Sequence, residues 1–322
     1  MHIGCDLFTS TIDFQKISEK NLVKLKKKFK NIKIVPVNPK IKNNNNYSKI
    51  QVYWGNRINI DILKKMKKLK WIHYGSTGIN QDIVKYAHLK KIKVSNTKRM
   101  FDNSVAATAL GFIFCLSRGI QYSLLLRDNK NYGRNFYNKI YHNMNDVFEK
   151  KILFVGYGNI AKNIAKVCKS LGMQIFVVKK IKDKKLKNSY GINNLHKAVV
   201  KKDFVVNLLP STKKTKEIFN LKIFKNMHKE SFFINLGRGE TVNEKDLEKT
   251  IKKRNIAGAG LDVVQNEPIK KDFSLLKYNN IIITPHIAAI NKRYKVEQVD
   301  LFIENFNKFL INKKLRFLIN KI

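Results

Sequence analysis

The sequence predicts an α/β protein made of two doubly wound domains, each built on a parallel sheet. Short apolar runs alternate with amphipathic segments in two series, one before residue 100 and one after residue 150. Such alternation is typical of parallel sheets that helices cover on both faces. A glycine motif, Gly156-Tyr157-Gly158, follows the first run of the second series. The 322 residues are enough for two domains with separate cores.

The first series contains four candidate strands separated by Lys-rich helical segments. The strands are Val35–Val37, Val52–Trp54, Trp71–His73 and Ile92–Val94. Apolar residues recur at helix spacing in the segments Leu22–Phe29 and Ile60–Leu69. This part of the chain therefore predicts one parallel sheet with helices on its faces.

The second series is clearer, because its strands are almost continuously apolar, as strands buried on both faces should be. They are Ile152–Val155, Gln174–Val178, Phe204–Leu208, Phe232–Asn235, Ala257–Val263 and Ile281–Thr284. Two helices frame the series. Val105–Leu116 is too short for a membrane span and predicts a buried helix, and apolar residues repeat at helix spacing from Val296 to Leu310.

The charge of the chain is strongly positive, with 65 Lys and Arg against 23 Asp and Glu, a net charge of +42. A basic surface can attract nucleic acid, but nucleic-acid-binding proteins usually concentrate their basic residues on one element. Here Lys is spread over helices and loops and occurs together with abundant Asn and Ile, which favours compositional drift. We expect no nucleic-acid partner, and we expect the positive field to favour a small anionic substrate.

The cysteines and the amino terminus indicate a cytoplasmic protein. Cys5, Cys115 and Cys168 are odd in number and lack metal-type spacing, so we expect reduced thiols and no metal site. The first residues lack the basic-then-apolar pattern of a signal peptide. No apolar run reaches the roughly 18 residues that a membrane span needs.

The glycine motif predicts a dinucleotide-binding site. Gly156 permits a tight turn after the strand, and Gly158 lets the backbone approach a pyrophosphate. Asn159 and Ile160 open the following helix, whose amino terminus attracts anions, and the small Ala161 allows close packing of helix on strand. A glycine pattern alone is weak evidence, but its position between a strand and a helix makes it specific.

The end of the second strand of this series predicts the cofactor. An acidic residue there would bind the ribose hydroxyls of NAD, but the chain has Lys179-Lys180 and no carboxylate before Asp183. Two ammonium groups attract a 2′-phosphate. The alternative is that these lysines point into solvent. We expect NADP or NAD as cofactor, with NADP favoured.

Three segments at the ends of later strands carry the groups needed to reduce a 2-oxo acid. Arg238 follows Asn235-Leu236-Gly237, Glu267 precedes a proline, and His286 follows one. The carboxyl ends of parallel strands meet at one edge of a sheet, so one cleft can gather these side chains. Arg grips a carboxylate, His donates a proton near neutral pH, and a carboxylate stabilises protonated His. We predict that Arg238, Glu267 and His286 are catalytic.

From about Trp71 to Ala289 the chain resembles the D-isomer-specific 2-hydroxyacid dehydrogenases. The resemblance rests on the glycine motif and on the Arg238, Glu267 and His286 segments. It implies NAD(P)-dependent interconversion of a 2-oxo acid and a D-2-hydroxy acid. It also implies that the amides of Thr77 and Gly78 bind the substrate carboxylate, together with Arg238. The further cofactor contacts that it implies are Leu209, Pro210, Thr215, Leu236, Gly237, Asp262 and Ala288.

The resemblance further implies a domain organisation and an assembly. A Rossmann cofactor domain, residues 101–289, would be inserted into a flavodoxin-like substrate domain made of residues 1–100 and 290–322. The protein would form a homodimer through the cofactor domain. The chain departs from the family pattern at Asn80, Ala107 and Glu149, where Asp, Glu and Gly are common.

Two other functions are compatible with parts of this pattern. A non-catalytic relative, such as a dehydrogenase-like corepressor or a nucleotide-sensing scaffold, would keep the nucleotide site and suit a basic chain. Enzymes that oxidise formate share this fold, but their reaction involves no ketone that must be protonated. It therefore does not require a set of Arg, Glu and His. Oxidation of the reduced cofactor by a panel of 2-oxo acids separates these alternatives.

Overall fold

The computed structural model describes residues 1–7, 19–38, 44–128, 133–139, 141 and 144–319. The chain divides into two units, which are considered separately. Unit 1 consists of Met1–Phe101 and Ile290–Ile322, and unit 2 consists of Asp102–Ala289.

Strands and helices alternate along most of the described chain. The strands are β1 (His2–Cys5), β2 (Lys33–Pro36), β3 (Val52–Gly55), β4 (Trp71–Tyr74), β5 (Lys93–Ser95), β6 (Lys151–Val155), β7 (Gln174–Lys179), β8 (Ser189–Gly191), β9 (Phe204–Asn207), β10 (Phe232–Asn235), β11 (Gly258–Leu261) and β12 (Ile281–Ile283). The helices are α1 (Glu19–Lys28), α2 (Ile60–Lys65), α3 (Gln81–Leu89), α4 (Asp102–Arg118), α5 (Ile120–Asp128), α6 (Asn159–Ser170), α7 (Leu195–Ala198), α8 (Leu221–Lys225), α9 (Glu244–Lys252) and α10 (Tyr294–Leu310). The exceptions to the alternation are the consecutive pairs β2–β3, β7–β8, β11–β12 and α4–α5.

Unit 1 contains a five-stranded sheet in the order β2-β1-β3-β4-β5, with parallel pairing throughout. This is the flavodoxin-like order. Side chains alternate across the sheet, so that Ile72 and Tyr74 enter one core while Trp71 enters the other. Helix α10 closes the second core, where the ring of Phe302 stacks on Trp54 at 4.0 Å between centroids and on Trp71 at 5.5 Å.

Unit 2 contains a seven-stranded parallel sheet in the order β12-β11-β10-β9-β6-β7-β8. The order reverses at β6, which lies between β7 and β9, as in a Rossmann fold. Val155 at the end of β6 pairs with Val178 and with Asn207. The turn after β6 therefore emerges where the ends of three adjacent strands meet, which is the usual ligand position in such sheets.

The predicted α/β class with two parallel sheets is confirmed. The buried helix expected at Val105–Leu116 is the middle of α4. Two strands, β1 and β8, were not predicted, because neither His2-Ile3-Gly4-Cys5 nor Ser189-Tyr190-Gly191 contains a run of large apolar residues. Among the described residues, no helix combines the length and the apolar character required to cross a bilayer.

Candidate active site

The turn after β6 has the geometry that the glycine motif predicts. Gly156 has φ +94° and its amide donates to the carbonyl of Val178 at 3.0 Å. A Cβ on Gly156 would lie 3.1 Å from the carbonyl oxygen of Leu208, so both the dihedral and the close approach require glycine. At Gly158, by contrast, a Cβ would meet nothing within 4 Å. The backbone at Gly158 is therefore open to a ligand.

Helix α6 begins directly after this turn, and its first amides are available. Gly158 is the N-cap residue, no side chain caps the helix, and its first turn contains no acidic residue. Within the described part of the chain, the amides of Asn159 and Ile160 donate no hydrogen bond. Ala161 is fully buried against the sheet. These features suit a diphosphate, which the open amides and the helix dipole would stabilise.

The loop after β9 is shaped by Asn207 and Thr215. The side chain of Asn207 accepts the amide of Leu209 at 3.1 Å. The hydroxyl of Thr215 donates to the carbonyl of Pro210 at 2.6 Å and accepts the amide of Thr212 at 2.9 Å. The predicted cofactor residues Leu209, Pro210 and Thr215 thus share one loop next to the glycine turn.

The end of β7 differs from the simple picture of two unpaired lysines. The Lys179 ammonium group forms an ion pair with Asp183, with Nζ 2.7 Å from Oδ2. Residues 179–185 together line an open concavity of about 500 Å³. The carboxylate that the sequence lacks at the strand end is therefore supplied by the following loop.

A set of buried polar residues holds the segment that carries Arg238. Asn207 donates to Asn235 Oδ1 at 2.9 Å and to Thr241 Oγ1 at 2.7 Å. The Thr241 hydroxyl donates in turn to the carbonyl of Arg238 at 2.6 Å, and the amide of Gly237 donates to Asn235 Oδ1 at 3.1 Å. A Cβ on Gly237 would lie 2.6 Å from the carbonyl of Leu209, which brings this segment against the neighbouring loop.

These supporting residues were only partly recognisable from the sequence. Asn235 belongs to the Arg238 segment, but Asn207 and Thr241 were not singled out. The usable signal at Asn207 is a polar residue that ends an otherwise apolar, fully buried strand. Such a residue must find hydrogen-bond partners, and here the partners are the other members of the set.

Asp262 fixes the segment that carries His286. Its side chain is 3% exposed, and its carboxylate accepts the Thr284 hydroxyl at 2.6 Å and the amides of Ile287 and Ala288 at 2.9 and 3.1 Å. The amide of His286 donates to the Asp262 carbonyl at 2.9 Å. The contact between Asp262 and the cofactor stays a prediction, whereas the structure shows the hydrogen bonds by which Asp262 positions the loop that carries His286.

His286 and Glu267 form a close pair. His286 Nδ1 lies 2.6 Å from Glu267 Oε2, and Glu267 Oε1 accepts the amide of Val264 at 3.1 Å. The two side chains are 49% and 34% exposed. With Nδ1 engaged, the imidazole has Nε2 available for a reacting group.

The charges around this pair set its protonation. The hydrogen bond to Glu267 raises the pKa of His286 above its ordinary value, although burial and the positive charge of Arg238 act in the opposite direction. Burial acts to raise the pKa of Glu267, but the hydrogen bond and charge of His286 and the charge of Arg238 outweigh it, so that this pKa is lowered. The pair therefore stabilises the form with imidazolium beside carboxylate.

The loop after β4 in unit 1 contains Thr77 and Gly78. Its carbonyls are used internally, because Asn96 donates to the Thr77 carbonyl at 2.9 Å and Ser76 donates to the Gly78 carbonyl at 2.8 Å. Neither the Thr77 nor the Gly78 amide donates a hydrogen bond to any described residue. Asn80 caps α3, a role that the family's Asp also performs well.

Comparisons with known proteins bear on both the site and the fold. The family model described as the NAD-binding domain of D-isomer-specific 2-hydroxyacid dehydrogenases matches residues 110–288. A glycerate dehydrogenase of Methylorubrum extorquens is 30% identical, over 79% of this chain and 80% of its own. A glyoxylate reductase of Korarchaeum cryptofilum is 27% identical, over 78% of this chain and 76% of its own.

The fold also matches solved structures. The structure of an NADPH-dependent glyoxylate/hydroxypyruvate reductase of Sinorhizobium meliloti superimposes with a TM-score of 0.82. The match covers 99% of this chain and 97% of that one, at 19% identity. At this level of identity the likeness concerns the fold.

Proposed function

Because the chain belongs to the D-isomer-specific 2-hydroxyacid dehydrogenase family, we propose that Arg238, Glu267 and His286 catalyse the reduction of a small 2-oxo acid to its D-2-hydroxy acid by NAD(P)H, and the reverse oxidation by NAD(P)⁺. The enzyme is an NAD(P)-dependent oxidoreductase that acts on a CH–OH group. The single observation that carries the assignment of residues is the 2.6 Å contact between His286 Nδ1 and Glu267 Oε2 beside the charge of Arg238.

His286 serves as the acid and base in this proposal. Its Nδ1 is bonded to Glu267, so Nε2 faces the substrate oxygen, donating a proton during reduction and accepting one during oxidation. The hydrogen bond to Glu267 raises the pKa of this imidazole, which favours the protonated form that reduction requires. Glu267 orients the ring and stabilises its charge, as a carboxylate partner of a catalytic histidine does.

Arg238 binds the substrate and polarises its carbonyl group in this proposal. Its guanidinium is suited to a carboxylate and to the ketone oxygen that gains negative charge during reduction. In unit 1, the amides of Thr77 and Gly78 donate to no described residue, and we propose that they bind a carboxylate. The Arg238 guanidinium favours a small acid with its carbonyl next to the carboxylate.

The residues of unit 2 fit a dinucleotide. The open backbone at Gly158 and the available amides of Asn159 and Ile160 would hold the pyrophosphate. The Leu209-to-Thr215 loop and the Leu236-Gly237 segment would border the rest of the cofactor, and Ala288 lies on the His286 segment. When bound, the nicotinamide supplies or accepts the hydride.

We propose a preference for NADP over NAD. The residue at the end of β7 is Lys179, followed by Lys180, where an acid would repel a 2′-phosphate. The test is kcat/KM for NADPH and NADH in the wild type and in Lys179→Asp, with Lys166→Asp, at an exposed position of α6, as control. We expect NADPH to be preferred and the preference to reverse only in Lys179→Asp. A wild type that favours NADH tenfold would contradict the proposal.

The assay that tests the function is a panel of 2-oxo acids with both reduced cofactors. Glyoxylate, hydroxypyruvate, pyruvate and 2-ketogluconate cover a useful range of side-chain size. We expect cofactor oxidation with at least one of them and no oxidation of D-2-hydroxy acids without NAD(P)⁺. Tight NADPH binding with no turnover across the panel would instead favour the nucleotide-sensing scaffold.

We also propose that the enzyme is a homodimer formed through unit 2. Phe114 in α4 and Ile120 and Leu124 in α5 are 36%, 49% and 55% exposed, an apolar surface that a second copy would cover. Sedimentation velocity should give twice the monomer mass, and Leu124→Glu with Ile120→Glu should shift the protein to monomer. A monomeric wild type at micromolar concentration would be evidence against the assembly.

For the location, we propose the cytoplasm. Cys115 and Cys168 are free thiols, and burial raises the pKa of Cys168 to about 12, so this thiol stays protonated. Unmodified thiols are typical of reducing compartments. Cell fractionation with an antibody against the protein tests the proposal.

A further inference from the structure

Asp183 makes several of the hydrogen bonds that position the loop after β7. Its amide donates to Ser189 Oγ at 2.9 Å, and its carbonyl accepts the amide of Leu186 at 3.1 Å. Its carboxylate accepts the amide of Lys185 through Oδ1 at 3.1 Å and the Lys179 ammonium through Oδ2 at 2.7 Å. With backbone and side chain both engaged, the carboxylate has a defined position.

That position lies within the concavity at the end of β7. The residues that line it, 179–185, comprise five lysines, one isoleucine and the single carboxylate of Asp183. The side chains of Lys179 and Asp183 are 38% and 25% exposed, so a ligand can reach both. Any anion that binds Lys179 here also meets Asp183.

The ionisation of Asp183 is secure at neutral pH. The hydrogen bond from Lys179, followed by that from the Lys185 amide, holds the pKa of this carboxyl below its ordinary value. The negative charge therefore compensates the Lys179 ammonium at every pH at which a dehydrogenase of this kind would be assayed. This site therefore attracts the 2′-phosphate of a cofactor less strongly than the charge of Lys179 alone would.

We propose that Asp183 is a specificity-determining residue that limits the preference for NADP and keeps NAD acceptable, an inference that rests on the proposed cofactor site. A 2′-phosphate placed at Lys179 is repelled by a carboxylate 2.7 Å from the ammonium. The 2′-hydroxyl of NAD carries no charge and can donate a hydrogen bond to that carboxylate. The two lysines at the end of β7 favour NADP, and the Asp183 carboxylate opposes that preference.

The test uses adenosine nucleotides that differ in the 2′-phosphate, so it does not depend on turnover. Isothermal titration calorimetry gives Kd for 2′,5′-ADP and for 5′-AMP in the wild type and in Asp183→Asn. We expect Asp183→Asn to bind 2′,5′-ADP roughly fivefold more tightly, because the variant removes one exposed negative charge beside the 2′-phosphate. Binding of 5′-AMP should stay the same or weaken. The gain should shrink at high salt.

Two further variants keep the result interpretable. Glu248→Gln removes another ion-paired carboxylate of unit 2, the partner of Lys277, and should leave both Kd values unchanged. Asp183→Ser removes the charge but retains a small hydrogen-bond acceptor for the loop, and it should reproduce the gain. Circular dichroism and Tm confirm that each variant is folded.

The outcomes separate this proposal from the proposed function. If 2′,5′-ADP binds Asp183→Asn and Asp183→Ser no more tightly than it binds the wild type, Asp183 has no role in specificity. If the gain appears but no 2-oxo acid is reduced, the nucleotide inference holds and the catalytic proposal fails. With an active wild type, the ratio of kcat/KM for NADPH to that for NADH should rise in Asp183→Asn by the same factor.

Discussion

The backbone amide of His286 donates a 2.9 Å hydrogen bond to the carbonyl of Asp262, and the Asp262 carboxylate accepts the amides of the next two residues. His286 has φ +54°, a left-handed conformation that is unfavourable for a residue with a Cβ. The hydrogen bonds to Asp262 offset that cost. The imidazole is thus held in place by a buried carboxylate that need not touch the substrate.

Replacing Asp262 with Asn should therefore reduce both stability and turnover. The amide group keeps the shape but turns one acceptor into a donor that faces the Ala288 amide, a loss of roughly 1–3 kcal/mol for a buried unsatisfied group. We expect a lower Tm and a lower kcat with a smaller change in KM, measured by calorimetry and steady-state kinetics. Asp146→Asn, which removes an exposed partner of Arg118, is the control and should change neither.

Replacing His286 with Gln should reduce kcat by roughly a hundredfold or more, the usual scale for loss of a general acid. Gln can accept or donate a hydrogen bond but cannot exchange a proton near neutral pH. His228→Gln, at an exposed position of unit 2, is the matched control and should retain full activity. Wild-type turnover in the folded His286→Gln variant would rule out the proposed acid and base.

Replacing Glu267 with Gln should move the pH profile toward acid. Glu267 raises the pKa of His286, so the substitution should lower that pKa. The other charged groups nearby, Asp262 and Arg238, are unchanged and act in opposite directions on it. Reduction needs protonated His286, so the alkaline limb of its pH profile should move to lower pH. The rising limb for oxidation should move in the same direction. A profile that stays in place while only its height falls would contradict this coupling.

Replacing Thr241 with Val should lower kcat/KM without unfolding the protein. The Thr241 hydroxyl donates to the Arg238 carbonyl and accepts from Asn207, so its loss loosens the segment that carries the guanidinium. We expect roughly a tenfold decrease, which corresponds to about 1.4 kcal/mol. Thr250→Val removes an equally buried hydroxyl that donates to the Asp246 carbonyl in α9. This control should cost comparable stability but leave kcat/KM intact.

Unit 1 should become less stable in mild acid because of His73. Burial lowers the pKa of His73 to about 3, while in the unfolded chain it titrates near 6.5. The unfolded state therefore binds the proton first, and stability present above pH 6.5 is lost as the pH falls toward 3. Between these two pKa values, the free energy of unfolding should fall by about 1.4 kcal/mol for each pH unit of acidification. Urea unfolding of the wild type and of His73→Leu across this range should show the steeper dependence only in the wild type.

The sequence predicted the parts of the site that a local motif defines. Gly156 and Gly158, and the segments of Arg238, Glu267 and His286, each have a spacing that follows from strand, turn and helix geometry. The structure brings Glu267 to His286 and adds what local spacing cannot contain. The bond of Asn207 to Thr241 joins residues 34 positions apart, and that of Asp262 to Ala288 joins residues 26 apart.

The loop at the end of β7 shows the same limit. The sequence shows that position 179 is a lysine and not an acidic residue. Whether the Asp183 carboxylate reaches the Lys179 ammonium depends on the conformation of the loop between them. That conformation in turn depends on Ser189 in β8, a strand of three residues that periodicity does not reveal. Local patterns thus predict which groups are present, and long-range contacts decide which charges remain uncompensated.

Unit 1 is completed after unit 2 during synthesis, because Phe302, whose ring stacks on Trp54 and Trp71, belongs to the late segment of this discontinuous unit. The ribosome releases residues 1–101 first, then all of unit 2, and only then α10. At ~5–20 residues per second, roughly 10–50 s separate the appearance of Trp71 from that of Phe302. Unit 2 is synthesised within this interval, and the nascent sheet of unit 1 meanwhile carries an uncovered aromatic face that a chaperone could bind.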